Sequence, residues 1–269
     1  MVSLFDVIKR LEKIAPPSLA YKDDIIGLQI GPSLLSEQKE VEVEKIMVTL
    51  DPTYEAMVEA ARKKVNLVIT HHSLFPRPTL RVSDVYLEIL RVALRYKIGL
   101  YVVHTNWDAV EGGVSDALAE VLELDVVDTL PASHGSDIIP LGRICMVRRK
   151  FNLSIFLQFI MQKLNTSCIR YVGKLDEEVK CVAVAGGLGV NEYMLMKAKE
   201  KNVDTYVTGD FLHRDALLAK NLGIKLIGAT HYATETVGMK RLSYILQLEL
   251  PDVEIYYYDP GPPWNEYHK

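Results

Sequence analysis

Short apolar runs broken by polar turns recur along the chain, and several of them end at chemistry-bearing residues. The clearest is Leu67-Val68-Ile69-Thr70, four β-forming residues that run into His71-His72-Ser73-Leu74-Phe75. A run of this length with polar flanks predicts a buried strand and puts both histidines at its end. Lys45 to Leu50, Gly99 to Val103, Cys181 to Ala185, Val203 to Val207, Ile224 to Ala229 and Glu254 to Tyr258 have the same character. Between them the apolar spacing turns helical. Leu4, Val7, Ile8 and Leu11 predict an N-terminal amphipathic helix that Pro16-Pro17 ends. Asp51-Pro52-Thr53 opens a helix running to about Lys64, with Asp51 as N-cap and Pro52 in the first helical position. Further helices are expected over about 83–96, 115–122, 154–164, 191–201 and 213–222, and a last one from near Thr236. Residues 36–45 are charged and predict a solvated loop, and 21–32 is turn-rich with a short extended segment. The stretch from 125 to 180 is less regular, with strands near 142–148 and 169–172.

The first half therefore reads β-α-β-α-β-α, which predicts parallel strands with helical crossovers. The pattern returns after Lys180. "VNLVITHHSLF" at 65–75 lies on "VDTYVTGDFLH" at 203–213, and "YVVHTNWD" at 101–108 lies on "IGATHYATE" at 227–235 when aligned on the histidine. His72 then falls on Asp210, His104 on His231 and Asp108 on Glu235. Both His-acid pairs have the form His-x-x-x-acid after a strand, a pattern that goes beyond the hydrophobic likeness any two such units share. The expected fold is α/β. Two related three-layer halves from an internal duplication, 1–128 and 129–269, have mainly parallel strands and a metal site in the cleft between them.

Composition narrows the class. In 269 residues, 49% are hydrophobic and 25% charged, ordinary for a globular protein with a full core. A net charge of −4 argues against a large nucleic-acid footprint. Cys145, Cys168 and Cys181 are widely spaced with no CxxC pair, so neither a disulfide framework nor a thiolate zinc site is expected, and Cys181 reads as core. Charged residues interrupt the N-terminal helix, which is no signal peptide, and no apolar run reaches the length of a membrane span. A cytoplasmic protein is expected.

The candidate chemistry lies at the strand ends. His71, His72, His104, His213 and His231 follow or lie near them, and Asp108 and Glu235 join them as a ligand set. Ligands of open α/β sheets bind at the carboxyl ends of strands. Imidazole suits zinc, iron, manganese or nickel, and carboxylate suits the harder of these. Adjacent side chains on an extended strand point apart, so His71 and His72 fit one ion each better than both on one, unless the backbone turns. Two ions about 3.5–4 Å apart activate a bridging water and clamp developing negative charge. Gly186-Gly187-x-Gly189 reads as a tight turn before a helix, without the lysine of a P-loop. His134 reads as a surface histidine in a polar loop and His268 as a solvated tail residue. Trp107 either walls the site or packs in the core.

Taken together, "ITHHSLF", "HTNWDAVEGGVSDALAE", "GGLG", "VTGDFLHRDALLAKNLG" and "THYATE" resemble the NGG-one interacting factor three-like family, whose members are known as GTP cyclohydrolase 1 type 2 homologues. The resemblance covers nearly the whole chain. It implies a two-part α/β fold, a dinuclear metal site and a toroidal hexamer. Carried over, His71, His72, Asp108, His231 and Glu235 match the metal ligands, with Glu235 bridging, and His104 matches a histidine close by and is the catalytic candidate. Two departures stand out: Ser73 replaces a usual proline, and Asp23-Asp24-Ile25-Ile26-Gly27-Leu28 keeps one Asp and the Gly-Leu of a Trp-Asp-Asn-x-Gly-Leu signature. The middle region is too short for the extra domain of many members. The expected function is a dinuclear metal-dependent hydrolase that uses two divalent ions per chain on a nucleotide or other small molecule. The other reading of the same ligands is a non-catalytic metal-binding or regulatory scaffold protein.

Overall fold

The computed structural model describes residues 2–79, 81–265 and 267; His268 lies outside the described residues. The chain forms two compact units, one up to Trp107 together with Met239–Gly261, the other Asp108–Gly238 together with the tail from Pro262.

In the first unit α1 (Leu4–Ile14) starts at a reciprocal cap: Ser3 Oγ accepts from the Asp6 N–H, and the Asp6 carboxylate accepts from the Ser3 N–H, each at 3.2 Å. It buries Leu4, Val7, Ile8 and Leu11, the stripe its spacing predicts. There follow β1 (Gly27–Ile30), α2 (Leu35–Glu40), β2 (Lys45–Thr49), α3 (Tyr54–Arg62), β3 (Leu67–Thr70), α4 (Asp84–Tyr96), β4 (Gly99–Val102) and a short α5 (Thr105–Ala109). The sheet order is β1-β4-β3-β2, with β2, β3 and β4 parallel and β1 antiparallel to β4. β3 is buried on both faces, which is why it reads as an unbroken apolar run. Met47, Met57, Val68, Ile89 and Leu100 form the core on one side. Burying each such side chain is worth about 1.5–3 kcal/mol.

The second unit holds α6 (Val114–Val121), β5 (Leu124–His134), β6 (Asp137–Asn152), α7 (Leu153–Leu164), β7 (Arg170–Val172), β8 (Glu178–Val184), α8 (Glu192–Glu200), β9 (Thr205–Thr208), α9 (His213–Leu222), β10 (Lys225–Gly228) and the start of α10 (His231–Glu249). Its strands run β5-β6-β8-β9-β10-β7. Here β8, β9 and β10 are parallel and β7 is antiparallel to β10. Phe156, Ile160, Val182, Val207 and Ile227 lie in its core. β11 (Glu254–Tyr257), near the end of the chain, adds in parallel to β2 and so completes the first sheet.

Each sheet contains the same four-strand pattern: β1-β4-β3-β2 in one and β7-β10-β9-β8 in the other, three parallel strands with an antiparallel neighbour beyond the third. The backbone bonds repeat as well. The N–H groups of His71 and His72 both donate to Leu50 O, as those of Gly209 and Asp210 do to Gly187 O. Val103 N donates to Thr70 O, as Ala229 N does to Thr208 O. The alignment read from the sequence shifts by one residue between β10 and His231, and Thr230 takes up that residue with a left-handed φ of 69°.

Several local expectations change. Residues 36–45 are not all loop, since α2 forms there around Gln38, whose amide donates to Pro32 O. Asp51 does not cap α3. Thr53 does, accepting from Ala56 N, and Pro52 lies outside the helix. The strand expected at 142–148 is a longer arm of a hairpin with β5, whose alternation is broken by register shifts. α10 starts at His231, not near Thr236, so His231 and Glu235 lie on its first turns. Cys181 is only half-buried, whereas Cys145 is fully enclosed. Among the described residues no helix is long and apolar enough to cross a membrane.

Candidate metal centre

In the first unit the site begins where β3 ends. Two successive N–H groups on one carbonyl, Leu50 O at 3.1 Å each, turn the backbone at His71 and His72, and Thr70 Oγ1 donates to His72 O at 2.7 Å. The turn brings the rings of His71 and His72 within 5.0 Å of each other, centre to centre. His104, two residues beyond β4, closes the group at 5.1 Å from His71 and 5.8 Å from His72. One nitrogen of each ring lies within 4.8 Å of the others. The adjacent histidines were expected to point apart unless the backbone turns, and it does turn. The turned backbone replaces that arrangement with three imidazoles around one point.

Each ring is held from behind. His71 Nδ1 is 3.0 Å from Val103 O, His72 Nδ1 is 2.7 Å from Asp51 Oδ1, and His104 Nδ1 is 2.8 Å from Asp24 Oδ1. A carbonyl or carboxylate at Nδ1 calls for a proton there, which leaves the Nε2 lone pair as donor. Metal-bound histidines show this arrangement. The donor set therefore fits a divalent transition ion. Asp24 is itself secured: it accepts from the Thr105 N–H at 3.1 Å and from the Thr105 hydroxyl. Burial works to raise the Asp24 carboxyl, but the hydrogen bond and charge of His104 and the Thr105 donors outweigh it and hold it at about 2. A cavity of about 220 Å³ opens beside His72 and His104, bounded also by Asp23, Ile25, Ser73 and Pro76.

In the second unit His231 and Glu235 lie four apart on α10 and so share a face. His231 Nε2 is 3.1 Å from Glu235 Oε1, and its Nδ1 is 3.0 Å from Asp210 Oδ2. Glu235 is buried against glycine. A Cβ on Gly187 would lie 2.0 Å from Glu235 Oε1, and one on Gly209 would lie 2.7 Å from His231 Cα. The glycine turn thus makes room for the ligand pair. Asn191 caps α8 through its own side chain, which accepts from Met194 N at 3.0 Å.

Asp108 is buried on α5 at 9% exposure, and Trp107 is core at 1%. His213 is exposed at the start of α9, and His134 is exposed at the tip of the β5–β6 hairpin. Sequence reasoning missed Asp51 and Asp24 as histidine partners, Gly187 as the floor under Glu235 and Gly209 as that under His231. It noted Asp210 only as the counterpart of His72. For Asp24 and Asp51 the one signal was an acid just after a turn or strand end, which other roles explain equally well.

Fold and site define a two-sheet α/β protein whose histidines are anchored through Nδ1 and grouped with carboxylates as metal-type ligands. The chain belongs to the Duf34/NIF3 (NGG1p interacting factor 3) family, whose model matches residues 2–262. It is 32% identical to the GTP cyclohydrolase 1 type 2 homolog of Methanocaldococcus jannaschii over 251 residues, 93% of this chain and 96% of that one. It is also 32% identical to the protein of the same name from Methanothermobacter thermautotrophicus over 270 residues, 99% of this chain and 97% of that one. The Staphylococcus aureus protein SA1388 has a similar structure, with a TM-score of 0.86 at 25% identity and 99% of each chain covered.

Proposed function

We propose that the protein is a dinuclear metal-dependent hydrolase of the cell interior that acts on a nucleotide or other small molecule. The observation that carries the reading is the gathering of His71, His72 and His104, each with Nδ1 tied to an oxygen acceptor. His71, His72, Asp108, His231 and Glu235 are the proposed ligands of two divalent ions per chain. Bound there, such ions supply a nucleophilic hydroxide at neutral pH and stabilise negative charge.

The chain's own residues supply the rest. His104 Nε2 takes the proton of the attacking water, and the Asp24 carboxylate behind Nδ1 stabilises the imidazolium that results. Asp24 stays ionised throughout the neutral range, because its carboxyl is held at about 2. The cavity beside His72 and His104 keeps this end of the site open, as a catalytic rather than a purely structural site requires. Relatives named as GTP cyclohydrolase homologs make GTP the first substrate to test. A homohexamer is the proposed assembly, on family resemblance, and mass by light scattering reads it.

The test is metal content and turnover on the same preparations of wild type and His104→Ala, with zinc, iron, manganese or nickel, against GTP, other nucleotides and phosphoesters. Wild type should turn over at least one of these. His104→Ala should lose about a hundredfold or more of that rate while keeping part of its metal. A fully metallated wild type inert toward the whole panel contradicts the hydrolase reading.

A further inference from the structure

Four histidines, three in the first unit and one in the second, face an oxygen acceptor through Nδ1, but the acceptors are of two kinds. His71 rests on a backbone carbonyl, Val103 O at 3.0 Å. His72, His104 and His231 rest on side-chain carboxylates: Asp51 at 2.7 Å, Asp24 at 2.8 Å and Asp210 at 3.0 Å. We propose that Asp24, Asp51 and Asp210 are positioning residues: Asp24 and Asp51 fix the Nδ1–H tautomer and ring plane of His104 and His72, and Asp210 fixes the ring plane of His231, whose Nε2 faces Glu235 Oε1 at 3.1 Å. The proposal rests on the metal reading above for its consequence, not for its geometry.

The geometry has two independent supports. First, the pairing is one to one and distant in sequence: Asp24 lies 80 residues before His104, and Asp51 and Asp210 each lie 21 residues before their histidines. Local chain proximity therefore does not account for the contacts. Second, Asp51 does not cap the helix that follows it. Thr53 caps α3, and Asp24 spends its second oxygen on Thr105, next to the histidine it holds. Asp51, three residues before α3, is thus released for His72.

The physical effect follows from imidazole chemistry. A neutral ring carries one proton, and an acceptor at Nδ1 holds it there, leaving Nε2 as the lone pair. A carboxylate also makes that lone pair more basic than a carbonyl does, and removing such a partner typically costs about 10- to 100-fold in metal affinity. His71 Nδ1 rests on Val103 O, so substitution of the three carboxylates should leave its tautomer unchanged, which makes it an internal reference.

The experiment uses the full chain labelled with nitrogen-15 at histidine. Its readouts are ring tautomers by NMR in the metal-free protein and zinc affinity by competition with a chelating dye. In wild type, His72 and His104 should show the Nδ1–H form when neutral, and the Nδ1 proton of His231 should be hydrogen-bonded. Asp24→Ala should move only His104 toward Nε2–H, Asp51→Ala only His72, and Asp210→Ala should remove the Nδ1 hydrogen bond of His231 alone. The Asn variants retain an acceptor oxygen and should restore Nδ1–H, and Asp24→Asn keeps the question answerable if Asp24→Ala fails to fold. Zinc should bind 10- to 100-fold more weakly to Asp51→Ala and Asp210→Ala. Wild-type rings in the Nε2–H form, or Ala variants with unchanged tautomers and zinc affinity, overturn the proposal. A wild type that binds no zinc brings down the metal reading as well; a wild type that binds zinc beside unaffected variants brings down this proposal alone.

Discussion

His72 and Asp210 occupy the same place in the two units. Each is the second residue beyond the middle strand of three parallel ones, and each shares a carbonyl with the residue before it, Leu50 O or Gly187 O. Each also has its own carbonyl facing a threonine hydroxyl, Thr70 Oγ1 at 2.7 Å or Thr208 Oγ1 at 3.5 Å. The backbone frame is common, and the side chain decides the role. In one unit the place carries an imidazole; in the other it carries the carboxylate that holds His231.

Glu235→Ala removes a buried carboxylate that lies 3.1 Å from His231 Nε2. Metal content of the purified variant, by elemental analysis, should fall well below that of wild type. Near-normal occupancy sinks the assignment of Glu235 as a ligand.

Gly187→Ala should act on metal through Glu235. The new Cβ would lie 2.0 Å from Glu235 Oε1, at a φ of +59°, so the carboxylate must move. Strain at a left-handed non-glycine residue adds about 1–3 kcal/mol. Gly223→Ala is the control, since its φ is +70° and nothing lies within 4 Å of the added atom. The expected outcome is comparable strain in both, measured as a lowered urea midpoint, with reduced zinc affinity only in Gly187→Ala. Equal zinc affinity in the two variants contradicts the idea that the glycine makes room for the ligand.

Arg143 is the structural centre of the loop that follows α5. Its guanidinium donates to Pro140 O, Gly142 O, Ala109 O and Val110 O at 2.7–3.0 Å and pairs with Asp116 at 2.7 Å, with 3% of the residue exposed. Arg143→Leu removes the guanidinium donors from those carbonyls and the buried cation from Asp116, whose carboxylate keeps the Gly112 N–H at 2.9 Å. The expected loss is about 3–5 kcal/mol of unfolding free energy, seen as a lower urea midpoint with unchanged slope. Arg143→Lys should recover only part of it, because an ammonium cannot reproduce the fork. A loss below about 1 kcal/mol, the range of exposed pairs, contradicts this role.

Much of the fold was legible because its strands are short apolar runs and its longer helices carry capping residues and helical periodicity. β3 and β9 fall where the aligned repeat puts them, and α9 has the bounds read from its pattern. α2 escaped because it buries almost nothing: only Gln38 is enclosed, so no apolar period marks it. The start of α10 escaped because Thr230, whose hydroxyl accepts from Ala233 N at 3.3 Å, sits in a run that favours turns as readily as helix. In the site, the histidines were visible at strand ends, whereas their anchors were not. Asp51 precedes a helix and looks like a cap, and its bond to His72 depends on a backbone turn that no local pattern announces.

The central claim is that divalent ions bind through Nε2 of the anchored histidines. Anomalous diffraction at the zinc edge from zinc-soaked crystals measures this directly. The account predicts ions about 2.0–2.1 Å from the Nε2 atoms of His71 and His72, with both Nδ1 atoms still on Val103 O and Asp51. Crystals that take up no zinc at these rings, or zinc bound through Nδ1 with the Val103 and Asp51 contacts broken, would contradict it.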